Sequence, residues 1–300
     1  MILTWNGLKD TLLVLKDVGE LSSDGIDYET IVVDNGSSDG TQEALKGYKL
    51  PNMKFKFVET GRNLGFAGGN NVGIKKALRE GADLVLLLNN DVILKKNLIT
   101  QLTKDALSDP KIGVVSPKMY FAKGFEFHKN RYKKDQKGKV IWYAGGDIDW
   151  DNVYSSHHGV DEVDRGQYEK IDDTDFANGA CALIKKEVFK KVGYLDEKFF
   201  LYWEDADFSQ RARLAGFRII YTPKTHLWHK VSVATGGSGS PSNDYFLIRN
   251  RLIFGFRYAR AWTKLALIRD SFRILMKGRS WQKKGILDFY LGRWGKGRWK

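Results

Sequence analysis

A run of five aliphatic residues at 84–88 constrains the fold more than any other feature of the sequence. Such a run is typical of a strand that is buried on both faces, as in the middle of a parallel sheet. The chain turns polar directly after it, and Asp91 is the first carboxylate that follows. In an open α/β sheet, ligands bind outside the carboxyl ends of the strands. Asp91 is therefore either part of a turn that caps the strand, or a ligand of a divalent metal that binds a substrate's phosphates.

Further short apolar runs predict the other strands of this sheet. They lie at residues 2–3, 30–33, 55–58, 112–115 and 218–221, and helical patterns separate them. Strand and helix units with short connections are typical of a doubly wound, mostly parallel α/β sheet. Four polar clusters follow predicted strands, at 34–39, 62–70, 89–91 and 204–207. The sequence therefore predicts a binding crevice at one edge of the sheet.

Three local patterns refine this prediction. Asp39 and Gln42 have the spacing of a capping box for a helix that runs through Leu45. The polar segment 122–175 is expected to be a long excursion with a hairpin, of the kind that lines a site. The Gly- and Ser-rich segment 236–241 is expected to be a mobile loop.

Composition excludes several classes of protein. Cys181 is the single cysteine, which excludes internal disulfides and cysteine-based zinc sites and suits a reducing cytosol. We expect Cys181 in the core. No run approaches the roughly 18 apolar residues that span a bilayer, and no signal peptide pattern is visible, so we expect a soluble or peripheral protein. The glycine-rich segments match neither a dinucleotide-binding nor a P-loop motif.

The charge is concentrated at one end of the chain. The net charge is +13, and residues 246–300 carry 15 Lys or Arg and 2 Asp residues, so the first 245 residues are neutral overall. We expect a catalytic domain over 1–245 and a basic, amphipathic helical tail over 246–300. A basic end on a neutral body indicates that only the tail meets an anionic partner.

Seven short motifs occur in order along residues 1–260. They lie at 3–6, 33–39, 63–70, 88–91, 176–181, 203–207 and 228–230. In this order they resemble the family-two glycosyltransferases with the GT-A fold, and within them the rhamnosyltransferase-like branch. The resemblance implies inverting transfer of a sugar, rhamnose for this branch, from a nucleotide-diphosphate sugar to a hydroxyl of a glycan or lipid-linked acceptor.

The resemblance implies a metal site for Mg²⁺ or Mn²⁺, since a divalent ion stabilises the leaving diphosphate as a Lewis acid. Asp91 matches the last carboxylate of the family's metal motif. His229 matches a histidine that completes the metal site or contacts the diphosphate, and the alternative is a strand-end histidine held by hydrogen bonds. Asn89 stands where the family often has the first acid of Asp-x-Asp, which leaves one motif carboxylate.

The donor site is implied in the same way. Asp34 matches a base-binding position, with a simple turn former as its alternative, and the capping box explains Asp39 equally well. Gly65 begins a glycine-rich loop that lets the backbone approach the nucleotide. The donor-binding residues that the resemblance implies are Thr4, Asn6, Asp34, Asp39, Gly65, Asn70 and Asn90.

The acceptor hydroxyl loses a proton as it attacks, which requires a carboxylate within hydrogen-bond reach. Asp205 is the expected base and Glu204 the second candidate, at the start of a helix whose dipole favours ionised acids. The alternative is that both acids only cap the helix. The expected acceptor-binding residues are Gly179, Ala180, Trp203 and Asp207, with a core position as the alternative for Trp203.

The tail combines apolar and cationic residues at helical spacing, a pattern typical of helices that lie in a membrane interface. We therefore expect an anionic membrane surface as a partner and a location at the cytoplasmic face of a membrane. The alternative is a helix packed on the catalytic domain. We also expect that Arg249 or Arg251 covers the donor diphosphate. Nucleic acid is not an expected partner, because no nucleic-acid-binding motif accompanies the charge. Two alternatives to a transferase stay open: a protein that binds sugar nucleotides but has lost catalysis, prompted by Asn89, and, less favoured, a nucleic-acid-binding protein, prompted by the basic tail.

Overall fold

The computed structural model describes residues 1–50, 53–128, 130–231 and 239–299. The first half alternates strands and helices: β1 (Ile2–Thr4), α1 (Leu8–Gly19), β2 (Thr30–Asp34), α2 (Thr41–Leu45), β3 (Phe55–Glu59), α3 (Gly65–Arg79), β4 (Leu84–Asn89), β5 (Val92–Leu94), α4 (Leu98–Leu107) and β6 (Ile112–Phe121). The second half contains β7 (Ile141–Tyr143), β8 (Gly146–Asp149), β9 (Tyr154–His157), β10 (Asp172–Asp173), β11 (Cys181–Lys185), α5 (Lys186–Val192), α6 (Glu204–Leu214), β12 (Arg218–His229), α7 (Pro241–Tyr258), α8 (Ala261–Lys277) and α9 (Ser280–Tyr290).

The strands form one large mixed sheet in the order β10–β12–β6–β11–β4–β1–β2–β3, with β5 paired to β12 and β7 to β6. β4, β1, β2 and β3 run parallel to one another, and so do β6 and β12. β11 lies antiparallel between β4 and β6. The prediction of an α/β protein with a mostly parallel central sheet is confirmed, and the aliphatic run at 84–88 forms its centre.

Helices cover both faces of the sheet. Side chains alternate across a strand, so neighbouring residues of a buried strand enter different layers. Val32 packs in one layer with Leu15 of α1, and Val33 packs in the other with Ile74 of α3. This double layer explains why the central strands read as continuous aliphatic runs.

The glycine-rich segment 65–69 is helical, so its prediction as a loop is wrong. Gly65 begins α3 at φ 78°, and a Cβ there would lie 2.5 Å from the Phe200 ring. A Cβ at Gly69 would lie 2.5 Å from a Leu3 methyl group. These glycines serve close packing of α3 against β1 and the 199–203 segment.

The predicted capping box is also wrong. The helix α2 begins at Thr41 after Gly40, which occupies the N-cap at φ 88°. Asp39 therefore stands one residue too early, and its Oδ1 accepts a hydrogen bond from Thr41 N (3.2 Å). Gln42 instead donates through Nε2 to Asp34 Oδ2 (2.8 Å).

The segment 122–175 contains the expected hairpin, formed by β8 and β9. Within the segment, β7 before the hairpin pairs with β6, and β10 after it pairs with β12. One end of the hairpin therefore lies beside the central sheet.

The C-terminal helices pack on this body. Phe254 of α7 contacts Trp203, with ring centroids 4.9 Å apart, and stacks on Trp150 at 5.6 Å. The domain boundary near residue 245 stays a prediction, although α7 already begins at Pro241. The expected mobile loop at 236–241 falls largely outside the described residues, of which Ser240 caps α7 by accepting from Asn243 N. Within the described ranges, every helix is too short or too polar to cross a bilayer.

Candidate active site

The candidate site lies at the edge of the sheet where β1, β2, β4 and β12 end and β11 begins. Backbone hydrogen bonds join these ends: Asn35 N donates to Thr4 O (2.8 Å), and Asn89 N donates to Ala180 O (2.9 Å). The polar clusters that follow β1, β2 and β4 in the sequence are therefore neighbours in space. The antiparallel entry into β11 brings residues 178–180 to the same edge.

Asp91 and His229 meet although 138 residues separate them. β5 pairs with β12 so that His229 lies opposite Val92, the residue after Asp91. This pairing places His229 Nε2 3.0 Å from Asp91 Oδ1. The imidazole also lies against Trp142, with ring centroids 4.3 Å apart. Its Nδ1 is buried and has no hydrogen-bond partner in the part of the chain that the structure describes, so Asp91 and Trp142 orient the ring.

The Asp91–His229 pair fits a small divalent ion. Asp91 would offer a carboxylate oxygen and His229 an imidazole nitrogen, and in the structure these two atoms lie within hydrogen-bond distance of each other. The described residues contain no group of three or more His, Cys, Asp or Glu side chains arranged to hold a metal. An ion bound here would therefore take most of its ligands from substrate phosphates and water.

Asp34, at the end of β2, has one oxygen that is satisfied and one that is not. Its Oδ2 accepts from Gly36 N (3.1 Å), Ser37 N (3.0 Å) and Gln42 Nε2 (2.8 Å). Its Oδ1 is buried and has no partner among the described residues. Because an unsatisfied buried acceptor is costly, Oδ1 is suited to accept a hydrogen bond from a ligand. A role as a simple turn former accounts for Oδ2 alone.

Asn6 and Asp39 are exposed and tie the segment after β1 to the segment after β2. Asn6 Oδ1 accepts from Ser38 N (2.7 Å), and Asp39 Oδ2 accepts from Leu8 N (3.1 Å). Burial raises the pKa of Asp39, but hydrogen bonds from Thr41 and Leu8 outweigh it and hold that pKa below its ordinary value. Asp39 therefore remains ionised at the mouth of the site.

Thr4 and Asn90 form a small buried network with Thr11. Thr4 Oγ1 lies 2.8 Å from Thr11 Oγ1 and accepts from Asn90 Nδ2 at 3.2 Å. These bonds fix the turn at 89–91 against the start of α1. Donor contacts through Thr4 and Asn90 stay predictions.

Asn70 lies inside α3 and is buried. Its Nδ2 donates to Phe66 O (2.9 Å), one turn earlier in the same helix. Gly65 packs against Phe200, so Gly65 and Asn70 both have contacts within the protein. Donor contacts through Gly65 and Asn70 also stay predictions.

Asp205 is held by two backbone N–H groups. Its Oδ2 accepts from Gly179 N (3.1 Å) and its Oδ1 from Ala206 N (2.8 Å). Burial raises the pKa of Asp205, and these two N–H groups offset part of the effect. A Cβ at Gly179 would lie 3.2 Å from the Phe66 ring, so a larger residue would crowd the entry to Asp205. Asp205 is partly exposed and points toward the segment that precedes β11.

Glu204 is a different kind of carboxyl group. It is 5% exposed, and its Oε2 has no hydrogen-bond partner in the described ranges. Burial raises the pKa of Glu204 well above its ordinary value, and the neighbouring Asp205 charge adds to the shift. The pKa of Asp205 is raised less strongly than that of Glu204, because Asp205 receives N–H donors from Gly179 and Ala206 while Glu204 is more deeply buried.

The structure gives Asp207 a packing role in place of the predicted acceptor contact. Its carboxylate is fully buried and accepts from Arg211 Nε (2.8 Å), Arg257 Nη1 (2.5 Å) and Tyr258 Oη (2.8 Å). These bonds fasten α7 to α6. Trp203 is 7% exposed and packs on Phe254, so the core alternative holds for Trp203.

Arg249 and Arg251 do not face a diphosphate, so that prediction is wrong. Arg249 is fully buried and donates to Phe199 O (3.0 Å). Arg251 donates to Asn152 O (2.8 Å) and pairs with Asp270 (2.6 Å). Both arginines satisfy backbone carbonyls of neighbouring segments. Cys181 is buried in the core as expected, and burial raises the pKa of its thiol.

One residue beside the site, His157, was not found from the sequence. His157, at the end of β9, lies with Nδ1 2.9 Å from Trp142 O and Nε2 3.3 Å from Asn178 Nδ2. Burial lowers the pKa of His157 to about 4, so the ring is neutral and supports Asn178. Asn178 lay within the motif at 176–181, but His157 stands in a polar excursion with no pattern that marks it.

The fold and this site define a class of protein, the nucleotide-sugar-dependent glycosyltransferases with a GT-A fold. The family model "Glycosyl transferase family 2" matches residues 1–193. The chain belongs to that family, and it is a glycosyltransferase.

Characterised relatives support this assignment at low identity. The chain is 26% identical over 226 residues to the low-salt glycan biosynthesis hexosyltransferase Agl10 of Haloferax volcanii, covering 75% of this chain and 66% of Agl10. It is 27% identical over 215 residues to an N-acetylglucosaminyl-diphospho-decaprenol L-rhamnosyltransferase of Mycobacterium tuberculosis, covering 69% of this chain and 67% of the relative. The chain thus spans about two-thirds of the length of these relatives.

Solved structures show the same fold. GalNAc-T7 with UDP, GalNAc and Mn²⁺ superposes with a TM-score of 0.67 at 16% identity, covering 96% of this chain and 52% of GalNAc-T7. The mannosyltransferase PcManGT of Pyrobaculum calidifontis, with GDP-Man and Mn²⁺, gives 0.56 at 16% identity, covering 99% of this chain and 86% of PcManGT.

Proposed function

We propose that the protein transfers a sugar from a nucleotide-diphosphate sugar to an acceptor hydroxyl with inversion at the anomeric carbon. The observation that carries the proposal is the position of Asp205. Its carboxylate accepts a hydrogen bond from Gly179 N at the edge of the sheet where Asp91 and His229 also lie. A charged carboxylate and a metal-binding pair at one crevice supply a base and an electrophilic partner for the leaving group.

Asp205 is the proposed general base. Its carboxylate accepts the proton of the acceptor hydroxyl while the oxygen of that hydroxyl bonds to the anomeric carbon. The bond between the anomeric carbon and the diphosphate breaks on the opposite face of the sugar. The N–H groups of Gly179 and Ala206 keep the carboxylate in one orientation, which favours proton transfer along a fixed direction. Glu204, neutral and enclosed, shapes the pocket without touching the acceptor.

Asp91 and His229 are the proposed metal ligands for Mn²⁺ or Mg²⁺. A bound ion supplies Lewis-acid stabilisation of the charge on the departing diphosphate. The mixed oxygen and nitrogen pair suits Mn²⁺ better than Mg²⁺, because Mg²⁺ prefers oxygen ligands. Mn²⁺ in the solved structures of GalNAc-T7 and PcManGT supports the same choice.

Asp34 is the proposed anchor for the nucleotide base. Its free Oδ1 matches an N–H donor such as a ring imide, and Asp39 at the mouth matches a ribose hydroxyl. Asn6 holds the two segments between which the nucleotide enters. Thr4 and Asn90 act on the donor by fixing the 89–91 turn.

We further propose a lipid-linked acceptor and rhamnose as the sugar. The support is the similarity to the Mycobacterium tuberculosis enzyme, whose name states a rhamnosyltransferase that acts on a diphospho-decaprenol-linked sugar. The basic C-terminal helices suit an anionic membrane surface at the cytoplasmic face, where such an acceptor resides.

Turnover of nucleotide sugars tests the proposal. A thermal-shift panel of nucleotide sugars, with and without Mn²⁺, identifies the donor, and release of the nucleoside diphosphate is then measured for the wild type and Asp205→Asn. We expect metal-dependent release that Asp205→Asn abolishes. Donor binding without metal-dependent release of nucleoside diphosphate would support the alternative hypothesis, that the protein binds sugar nucleotides but has lost catalysis.

A further inference from the structure

A second cavity lies apart from the crevice described above, between the turn of the β8–β9 hairpin and the helices α7 and α8. Its volume is about 340 Å³, within the range of small-ligand pockets. The hairpin contributes Asp151 from its turn and Tyr154 from the start of β9, and the helices contribute Arg251, Arg269, Asp270 and Arg273.

The wall formed by α8 is cationic. Arg251 lies under Tyr154 at 4.2 Å and already pairs with Asp270, so it shapes the cavity and carries no spare charge. Arg269 and Arg273 are exposed, and within the described residues neither forms an ion pair. Their guanidinium groups match phosphate oxygens in two-pronged geometry. Two carboxylates, Asp151 and Asp270, also line the cavity, and Asp270 is paired with Arg251.

An apolar stripe on α8 borders this cationic wall. Trp262, Leu265, Phe272 and Met276 are 82%, 56%, 63% and 70% exposed. With 3.6 residues per turn, these four positions and Arg269 share one face, opposite the buried Leu267. Large side chains so exposed indicate a surface that meets an apolar phase.

The cavity is connected to the candidate active site by a single strand. Tyr154 begins β9 at the cavity, and His157 ends β9 beside Asn178, next to Gly179 and the Asp205 carboxylate. An extended strand rises about 3.4 Å per residue, so these two ends lie about 10 Å apart. A phosphate at α8 and a sugar hydroxyl at Asp205 are thus within the reach of one acceptor molecule.

We propose that this cavity binds the phosphate of a lipid-linked acceptor through Arg269 and Arg273, while the lipid chain lies along the apolar stripe of α8. The proposal rests on the proposed function and narrows its acceptor to a phosphate-bearing lipid. It assigns the charge of α8 to one ligand, the acceptor itself, rather than to a general attraction to anionic bilayers.

Vesicle binding by the full chain tests the assignment. The probes are phosphatidylcholine vesicles doped with undecaprenyl phosphate, and vesicles doped with phosphatidylglycerol to the same surface charge. The test variant is Arg269→Ala with Arg273→Ala. The matched control is Arg260→Ala with Lys264→Ala, which removes the same charge from α8 outside the cavity. Thermal midpoints confirm that both variants are folded.

We expect the test variant to lose roughly 100-fold in affinity for the undecaprenyl phosphate vesicles, about 3 kcal/mol, as for two charge-assisted contacts to the phosphate worth about 1.5 kcal/mol each. The control should keep most of that affinity, and both should bind phosphatidylglycerol vesicles alike. Equal losses in both variants, or equal affinity of the wild type for both vesicles, would overturn the phosphate site. Metal-dependent release of nucleoside diphosphate by the wild type is measured alongside. If this release occurs but the two variants do not differ in vesicle binding, only the proposed phosphate site is wrong. If the wild type shows no such release, the proposed function is wrong.

Discussion

Two acids on one helix, Asp205 and Asp207, should fail in opposite ways when each is changed to asparagine. Asp205 is partly exposed at the crevice, and Asp207 is fully buried between α6 and α7. For Asp205→Asn we expect transfer to fall by about 10²- to 10⁴-fold, the range for a lost general base, which is about 3 to 5 kcal/mol of activation free energy. Asparagine keeps one acceptor oxygen for two N–H donors, so the free energy of unfolding should fall by only about 1 kcal/mol.

Asp207→Asn should instead destabilise the fold. Removing one partner of a buried ion pair costs about 3 to 5 kcal/mol. Arg257 retains Asp196 at 2.7 Å and Arg211 retains Val192 O at 2.7 Å, which lowers our expectation to about 2 to 3 kcal/mol. The folded fraction should keep near wild-type transfer.

The assay combines urea unfolding with release of nucleoside diphosphate, measured well below the unfolding midpoint. Asp205→Asn that keeps more than about a tenth of the activity would refute the role of Asp205 as base. Asp207→Asn that is as stable as the wild type, yet inactive, would refute the separation of the two roles.

Four further predictions concern the candidate site and the helix α3. Because burial raises the pKa of Asp205, the base form is lost as the pH falls through that raised value, so the acid limb of kcat/KM should lie above the range of an ordinary aspartate. Glu204→Gln should leave that limb in place. The stability that the raised pKa of Glu204 contributes is lost as the pH rises from the ordinary glutamate pKa to the raised one, so the variant should lose less stability than the wild type across that window. Mn²⁺ should support faster transfer than Mg²⁺ in the wild type, and His229→Ala should reduce the difference between the two rates. An unchanged ratio of the two rates in the variant would show that His229 is not a metal ligand. Gly65→Ala should lower the free energy of unfolding, measured by urea titration, by about 2 to 5 kcal/mol, because left-handed strain adds to overpacking on Phe200. The control is Gly25→Ala, which also lies at positive φ but has no atom within 4 Å of its Cβ, so it should lose only the strain contribution.

The sequence alone determined the sheet and the polar ends of its strands. A buried parallel strand has no polar face, so the run at 84–88 identified the centre of the fold without help from contacts far along the chain. The order of short motifs then identified the family, because each motif is local and its residues lie next to one another.

Contacts between segments far apart in the chain determine which of these residues share a site and which pack in the core. Asp91 and His229 meet through the pairing of β5 with β12, which local sequence does not encode. Asp207, two residues after Asp205, turned out to be enclosed by Arg257 and Tyr258 of α7, because a helix turns neighbouring side chains to different faces and long-range packing selects the one that is buried. The glycine-rich segment likewise proved to be helical, and its glycines admit the close approach of Phe200 and Leu3, which are distant in sequence.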